Sequence, residues 1–458
     1  MKVKVCLCDL LTRKHTHRAV NVQFLCTVTP QTRAREGHGR RTRAMLAALA
    51  LGATPHSAHL SALIVHSPPR SKFAARLYPN GSSIPAGGAV WPTAIYWSFV
   101  QVGTPPLSVP ACIDSGSGDL DVEGAGCDGC VFRPPNIPYD HSKSSTSSAV
   151  FPYTFSNTYE TCDLKEPTAP CTISGSLYSD QVSLAGLGPV SVELGAIEKQ
   201  TANFDQFKEI DGVLGFTGGG KKNVFAQLVA AGKSENVWAM CMNNAGAKSN
   251  GTLTIGGVDL RLSSGPVQYV PDVGAGFHSV QVASFVLTDT VSSRSAGGST
   301  VSTRGSVSYD VSVPVDAAAI LDTGTNVLLL PPRLLKALGT AMCAPGTYEA
   351  CDALWANSCV ALSDKAVDAY PSLTLKLDAG LELKMHARDY LLLGSPQASA
   401  AGQYCLGIRS GGNLFIIGDT TMRNYYLVFD LAQRQIGWGD VNKGPGGCGD
   451  VEEGEVAP

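Results

Sequence analysis

The chain has 458 residues, of which 44% are hydrophobic and 16% are charged, and it contains 49 Gly and 27 Pro. This length and hydrophobic content can build one or two sizeable cores, and the many turn-forming residues favour a β-rich protein over a helical bundle. Residues 1–44 hold ten Lys and Arg and two acids, so residues 45–458 carry 25 basic and 36 acidic side chains. The acidic body argues against a nucleic-acid partner, because phosphate binding requires clustered cations.

The first 90 residues are predicted to be a leader followed by a short propeptide or linker. An apolar run at residues 45–53 follows Arg40, Arg41 and Arg43, which is typical of a secretory signal that begins at Met45. An Arg-rich organelle transit peptide and a disordered basic tail are the alternatives. We expect the protein to enter the secretory pathway and to be extracellular or vacuolar/lysosomal, and no apolar stretch reaches the length of a transmembrane segment.

From Trp91 onward, short apolar runs alternate with clusters of Gly, Pro, Ser and Asn, a pattern typical of many short strands. Ser, Gly and Thr dominate residues 289–312, which indicates a long surface loop or a hairpin. The tail, residues 446–458, is acidic. The predicted strands cover residues 95–102, 181–184, 251–256, 279–287, 373–377 and 425–429, and the predicted helices cover residues 223–231 and 332–338.

A short internal repeat organises this pattern. The sequence IDSGS at residues 113–117 recurs as LDTGT at residues 321–325. About 95 residues further on, each copy is followed by an apolar pair that ends in Gly, at residues 213–215 and 416–418. Such a repeat predicts two similar lobes, each supplying one loop that carries a carboxylate.

The repeated acids, Asp114 and Asp322, are the candidate catalytic residues. A carboxyl group that follows a buried apolar strand needs hydrogen bonds, and the Gly two positions later permits a tight turn whose backbone N–H can supply one. Two carboxyls at one site do not both ionise readily, so they share a proton and titrate as a unit. The ionised group can deprotonate a water molecule while the protonated group polarises a carbonyl, and this chemistry requires no metal, cofactor or covalent nucleophile.

Longer segments resemble the pepsin-like aspartic proteases, a family of bilobal eukaryotic enzymes. The resemblance covers roughly residues 94–442. The motifs that carry it are a strand leading into Val-Gly-Thr-Pro at 94–106, the two catalytic loops at 113–122 and 319–325, a Ser-Ser-Thr segment at 139–146, Asp-Gly-Val-Leu-Gly within 210–216, the interlobe strand at 251–259 and the carboxy-terminal signature IIGDTTMRNYYLVFD at 416–430.

The resemblance implies an all-β, bilobal fold with a central substrate cleft between an amino-terminal lobe, residues 91–260, and a carboxy-terminal lobe, residues 261–445. It implies an aspartic endopeptidase that hydrolyses polypeptide substrates at acidic pH, without a cofactor or metal, and that binds pepstatin-type inhibitors. We expect a monomer. The alternative is a catalytically weak or inactive protein of the same fold that acts as a binding or inhibitor protein.

The resemblance also implies roles for the residues around the two acids. Two hydroxyls would brace the loops against each other, two glycines would offer backbone N–H groups between the carboxylates, and two further hydroxyls would bind the outer carboxylate oxygens. These supporting residues are Ser115 and Thr323, Gly116 and Gly324, and Ser117 and Thr325. The chain departs from the family at Asp121, where Trp usually supports the tyrosine of the flap, the hairpin that closes over substrate. Tyr159 is the candidate flap tyrosine.

Eleven of the 14 cysteines follow residue 45. The Cys127–Cys130 pair lacks a second pair at zinc-site spacing, so disulfides in an oxidising compartment are favoured over a metal site. Cys112 is left over, either as a buried free thiol or as a regulatory thiol. The pairs that the family resemblance suggests are Cys127–Cys130, Cys162–Cys171, Cys241–Cys448, Cys343–Cys351 and Cys359–Cys405.

Overall fold

The structure is a computed structural model. It describes residues 81–89, 95–132, 135–163, 165, 169–242, 250–292, 304–311, 318–344, 346 and 348–449. The predicted signal that begins at Met45 and the end of the acidic tail, residues 450–458, lie outside the described residues.

Strands dominate the described residues, so the all-β prediction is confirmed. The strands are β1 (Ser82–Ala89), β2 (Ile95–Val102), β3 (Leu107–Asp114), β4 (Leu120–Asp128), β5 (Ser148–Tyr159), β6 (Cys171–Leu184), β7 (Leu187–Gln200), β8 (Gly212–Gly215), β9 (Val237–Met242), β10 (Asn250–Ile255), β11 (Gln268–Pro271), β12 (Ser279–Val280), β13 (Val282–Ser292), β14 (Arg304–Val311), β15 (Ala319–Leu321), β16 (Leu328–Leu330), β17 (Val360–Ala361), β18 (Ser372–Leu377), β19 (Glu382–Met385), β20 (Leu391–Leu393), β21 (Gln403–Leu406), β22 (Ile408–Ser410), β23 (Ile416–Ile417), β24 (Tyr425–Asp430) and β25 (Gln435–Asp440).

Helices are short in the described part of the chain, and none is long and apolar enough to cross a bilayer. The first two match the predicted helices: Asn223 caps α1 by accepting a hydrogen bond from the Ala226 backbone N–H at 2.8 Å, and Pro332 opens α2. The other four are too short to produce a helical period in the sequence, and they were not predicted. The helices are α1 (Val224–Ala230), α2 (Pro332–Cys343), α3 (Cys351–Trp355), α4 (Asp364–Ala369), α5 (Ala387–Tyr390) and α6 (Asp419–Met422).

A large sheet combines strands from both ends of the chain. Among the described residues it has 13 strands in the order β11-β25-β24-β9-β10-β1-β2-β3-β8-β4-β7-β6-β5. Strand β1 pairs with β10 and β2, so residues 82–89, which the sequence analysis placed in the leader, belong to the folded body. Strand β24 pairs with β9, so the carboxy-terminal strands complete a sheet whose other strands mostly precede residue 260.

Three smaller sheets follow residue 279 in the described chain, with the orders β12-β15-β23-β16-β22, β14-β13-β18-β19 and β17-β21-β20. The single strand predicted at 279–287 is wrong in one respect, because β12 and β13 join different sheets. Strands β13 and β14 pair in antiparallel fashion, which selects the hairpin rather than the open loop for the Ser- and Gly-rich segment.

The two copies of the internal repeat have the same strand pairing. Strand β3 ends at Asp114 and pairs in parallel with β8, which sets Ile113 beside Leu214. Strand β15 precedes Asp322 and pairs in parallel with β23, which sets Leu321 beside Ile417. The apolar pair found downstream of each motif therefore lies beside the strand that carries the acid. This duplication is the basis of the two lobes.

Aromatic side chains fill the core where the carboxy-terminal strand β24 joins β9 in the large sheet. Trp238 on β9 stacks on Phe429 of β24 with ring centroids 4.0 Å apart, and Phe216 packs against the same Trp at 4.3 Å. All three side chains are fully buried. Burying a Phe side chain stabilises a fold by about 1.5–3 kcal/mol, so this contact binds the carboxy-terminal strands firmly to the rest of the sheet.

Five disulfides are present among the described residues. They are Cys127–Cys130, Cys162–Cys171, Cys241–Cys448, Cys343–Cys351 and Cys359–Cys405, the same five pairs that the resemblance suggests. The Cys241–Cys448 bond joins cysteines 207 residues apart and fastens the segment after β25 to β9. The beginning of the predicted tail is thus part of the fold. Cys112 is buried and free.

Replacing Cys241 and Cys448 together by Ala should lower the free energy of unfolding by about 2–5 kcal/mol, because the unfolded chain regains the freedom of a long closed loop. Urea unfolding without reductant measures the loss. The double variant Cys127→Ala, Cys130→Ala is the control, since that pair closes a loop of three residues and should cost less. Equal losses in the two variants would contradict the prediction.

Candidate active site

Asp114 and Asp322 meet at the floor of a cleft, and both are more than nine-tenths buried. A Cβ atom added to Gly116 would lie 2.6 Å from Asp322 Oδ1, and one added to Gly324 would lie 2.8 Å from Asp114 Oδ1. Each glycine therefore makes room for the carboxyl of the opposite loop. Each also donates its backbone N–H to the acid of its own loop, at 2.8 Å in both cases.

A symmetric set of hydrogen bonds joins the two loops beneath the acids. The Ser115 hydroxyl donates to the backbone oxygen of Leu321 at 2.8 Å and accepts from the Thr323 backbone N–H at 2.9 Å. The Thr323 hydroxyl mirrors this arrangement, donating to Ile113 O at 2.7 Å and accepting from the Ser115 N–H at 3.0 Å. Both side chains are fully buried. These four bonds hold the two acid-bearing loops at a constant separation.

The hydroxyls of Thr325 and Ser117, which follow the two acids by three residues, differ in their hydrogen bonds. Thr325 donates to Asp322 Oδ2 at 2.6 Å. The Ser117 hydroxyl lies close enough to Asp114 to lower the pKa of that acid, but its oxygen is buried and has no hydrogen bond of ordinary geometry in the described structure. Asp322 is thus held by a side-chain donor on its own loop, whereas Asp114 depends mainly on the Gly116 N–H.

Burial raises the pKa of Asp114 from an ordinary value of 3.8 to about 8, and the charge of Asp322 and a hydrogen bond to it act in the same direction. Ser117 and the Gly116 N–H oppose the shift. Two carboxyls in such contact hold one proton between them, so the pair carries a single negative charge over a wide range below that pKa.

A third acid, Asp419, lies behind Asp322 at the start of α6. Burial and the charge of Asp322 raise the pKa of Asp419 well above its ordinary range, and Arg423 opposes this only in part. Its backbone N–H donates to Thr325 O at 2.8 Å, which ties α6 to the second loop. A neutral Asp419 adds no negative charge to the pair in front of it.

The candidate flap is the hairpin of β5 and β6, whose ends are joined by the Cys162–Cys171 disulfide. Tyr159, the last residue of β5, lines the cleft together with Asp114 and Asp322. Its ring packs against Phe204 with centroids 6.2 Å apart. Its hydroxyl donates to Asp121 Oδ2 at 3.2 Å, so the acid at the departing position is in direct contact with the candidate flap tyrosine.

The sequence analysis missed two flap residues, Asn157 and Thr161. Asn157 donates to Asp121 Oδ2 at 2.7 Å. The Thr161 hydroxyl lies 2.8 Å from that of Thr325, and it is the donor because Thr325 gives its own hydrogen to Asp322. Asn157 lies two residues before Tyr159 on β5, so the alternation of side chains in a strand would have placed it on the same face. Thr161 lies in the turn after β5, where that alternation does not apply.

The cleft has a volume of about 400 Å³, and apolar side chains from both halves of the chain line it. These include Ile95, Phe204, Phe207, Ile210, Val213, Ile320, Leu414 and Ile416. Cys112 also lines it; burial raises the pKa of its thiol well above the ordinary range, which keeps it uncharged and a weak nucleophile. Walls of this kind suit a chain with apolar side chains, and the two acids supply reactivity at the floor.

Comparison with known proteins agrees with this geometry. The model of the eukaryotic aspartyl protease family matches residues 95–441, which include both acids and the flap. The chain belongs to the eukaryotic aspartyl protease family. The resemblance to pepsin-like proteases and the bilobal pepsin-like fold are thereby confirmed.

Individual members of the family match over most of their length. The chain is 25% identical to Aspartic proteinase 36 of Arabidopsis thaliana over 401 residues, covering 80% of this chain and 78% of that protein. It is 27% identical to Cathepsin E of Mus musculus over 362 residues, with 75% and 79% covered, and 24% identical to Gastricsin of Cavia porcellus over 361 residues, with 75% and 80% covered. The chain is thus similar to plant and animal members of the family alike.

Replacing Ser115 by Ala should destabilise the fold, because the Thr323 N–H and the Leu321 carbonyl would each lose a buried partner. Each unsatisfied group costs about 1–3 kcal/mol, which urea unfolding can measure. Ser115→Thr keeps the hydroxyl and serves as the control, with a smaller loss expected. A Ser115→Ala variant as stable as the unmodified protein would show that the loops do not depend on this brace.

Proposed function

We propose that this protein is an aspartic endopeptidase whose Asp114 and Asp322 carboxyls activate water to hydrolyse peptide bonds. The observation that carries the proposal is the approach of the two acids: each loop's glycine leaves space for the other's carboxyl, and a Cβ atom on Gly324 would meet both, at 2.8 Å from Asp114 Oδ1 and 3.2 Å from Asp322 Oδ1. A buried pair sharing one proton contains an acid and a base within reach of one solvent molecule, which is the arrangement that general acid–base hydrolysis requires.

The reaction follows from the shared proton. The ionised carboxyl removes a proton from water as the water oxygen attacks the scissile carbonyl carbon, while the protonated carboxyl donates to the carbonyl oxygen. The resulting tetrahedral diol collapses when the carboxyl that took the proton from water donates it to the amide nitrogen, while the other carboxyl regains a proton from a diol hydroxyl. The C–N bond breaks to release an amine and a carboxylic acid, and the pair again holds one proton. The brace between Ser115 and Thr323 keeps the two acids at a fixed separation throughout, so little reorganisation is needed during the reaction.

We propose polypeptides in extended form as substrates, with apolar side chains on either side of the scissile bond. The apolar walls of the cleft support the side-chain preference, and the flap strand offers backbone groups to an extended chain. Pepstatin-type inhibitors should bind, because their hydroxyl resembles that of the tetrahedral intermediate. We propose that residues 91–260 and residues 261–445 form the two lobes on either side of the cleft.

An oxidising compartment fits the five disulfides, and we propose that the protein passes through the secretory pathway to the cell exterior or to a vacuolar or lysosomal compartment. Fractionation of cells followed by amino-terminal sequencing of the mature chain tests this. Recovery of the full-length chain in the cytosol with reduced cysteines would contradict it.

Replacing either acid by Asn, as Asp114→Asn or Asp322→Asn, should lower peptide hydrolysis by at least about 10²–10⁴-fold, because the pair then lacks a general base or acid. Quenched peptides assayed between pH 3 and 6, with and without pepstatin, give the rates. Asp128→Asn, an exposed acid on β4, is the matched control and should leave the rate unchanged.

The outcomes separate the two candidate functions. Full activity in either acid variant would show that the pair is not catalytic. If the unmodified protein hydrolyses nothing in a diverse peptide library, the protein is instead a non-catalytic binder of the same fold.

The pH dependence should follow from the pKa of Asp114, which is about 8. Below that pH the pair holds its shared proton, and above it both groups are ionised and the general acid is lost. Hydrolysis should therefore be retained from acidic to near-neutral pH, be halved at about pH 8 and decline about tenfold for each further pH unit. Measurement of kcat/KM from pH 3 to 9 checks this, and undiminished hydrolysis at pH 9 would contradict the shared-proton mechanism.

A further inference from the structure

Asp121 lies on β4 beneath the flap strand and is fully buried. Its Oδ2 atom accepts two hydrogen bonds from β5, from the Asn157 amide at 2.7 Å and from the Tyr159 hydroxyl at 3.2 Å. Both donors belong to the strand whose last residue lines the cleft. A single carboxyl oxygen therefore connects the body of the protein to the flap at two points.

The other oxygen, Asp121 Oδ1, is buried and has no hydrogen bond in the described structure. It faces Gly195 of β7 so closely that a Cβ atom there would lie 2.2 Å away. An ionised carboxylate needs donors on both oxygens when it is buried, whereas a protonated one places its hydrogen on one oxygen and accepts two bonds on the other. The absence of a donor at Oδ1 therefore disfavours the ionised form.

The charges around Asp121 are few. Asp119 lies nearby on the amino-terminal side of β4, but its carboxyl is paired with Lys222 at 2.9 Å and also accepts from Asn157 at 3.3 Å. Strands β7 and β8 place the uncharged residues Gly195 and Val213 beside it. Tyr159 is the titratable group that β5 contributes. Burial and the charges of Asp121 and Asp114 raise the pKa of this Tyr.

Burial raises the pKa of Asp121 from an ordinary value of 3.8 to about 7, with Asp119 adding to the increase. The hydrogen bonds from Asn157 and Tyr159 and the charge of Lys222 oppose it. The acid thus changes its charge near neutral pH. Phe155 of β5 covers the same glycine that Oδ1 faces, so movement of β5 would open a path for water to this oxygen.

We propose that the protonated Asp121 carboxyl is a positioning residue that holds Tyr159 and Asn157 of the flap over the cleft at acidic pH, and that its ionisation releases the flap. The consequence for catalysis rests on the proposed endopeptidase function, but the link between Asp121 and the flap does not. The decisive variants are Asp121→Asn, which mimics the neutral acid and keeps an acceptor for both donors, and Asp121→Ala, which removes the acceptor.

Hydrogen–deuterium exchange of the flap, residues 148–159 and 171–184, tests the link directly. After correction for the chemical exchange rate, the unmodified protein should protect these amides more strongly at pH 5 than at pH 8. Asp121→Asn should protect them equally at both values, and Asp121→Ala should protect them weakly at both. Asp128→Asn, on the same strand but exposed, should behave as the unmodified protein does.

Thermal unfolding supplies a second readout whose sign is set by linkage. The folded protein keeps the Asp121 proton between pH about 4 and about 7 while the unfolded chain has lost it, so this group makes stability fall with rising pH in that window. The Tm of Asp121→Asn minus the Tm of the unmodified protein should therefore increase from pH 4 to pH 7. A constant difference, or exchange protection in Asp121→Asn that follows the unmodified protein, overturns the proposal.

Peptide hydrolysis gives the functional consequence. Asp121→Ala should lower kcat/KM by about 10²-fold at pH 5, since Tyr159 loses its position over the cleft. Asp121→Asn should retain activity, and the loss of kcat/KM at alkaline pH should begin at a higher pH than in the unmodified protein. The double variant Tyr159→Phe, Asp121→Ala should lose no more kcat/KM than Asp121→Ala alone. Full additivity of the two losses would contradict a shared role.

Absence of hydrolysis in the unmodified protein refutes the endopeptidase function and leaves the exchange and unfolding tests to decide on Asp121.

Discussion

Two carboxyl groups that face each other in a buried site repel unless they hold a proton between them, and the architecture around Asp114 and Asp322 serves this contact. The glycines two residues later leave the space that the opposite acids occupy. The reciprocal bonds of Ser115 and Thr323 resist the tendency of the loops to separate. Because repulsion grows when the proton is lost, the brace and the shared proton act together in keeping the cleft floor intact.

A second carboxyl is arranged on the same principle, although its partners are different. Asp121 meets amide and hydroxyl donors of the flap instead of another acid, and its buried environment favours the neutral form. If Asp121 supports the flap as proposed, the cleft floor and the flap support are both complete in the protonated state. Proton uptake would then complete the site through two groups that are separated in the fold.

The sequence was most informative where chemistry is local. The Asp-Ser/Thr-Gly-Ser/Thr motifs and the apolar pairs downstream predicted the two acid loops and the strands beside them, since each depends on a few adjacent residues. The partner of Asn157 lies 36 residues away, and the place of β24 in the large sheet depends on pairing across the chain, so no local period reveals either. The four unpredicted helices are positioned by tertiary packing rather than by an amphipathic pattern of their own.

The sheet that β24 and β25 complete has a consequence for biosynthesis. Trp238 stacks on Phe429, and Cys241 bonds to Cys448, so the first half of the chain reaches its final form only after the last segment has left the ribosome. The nascent amino-terminal half would expose an unpaired β9 edge and an uncovered aromatic surface throughout synthesis of the remainder.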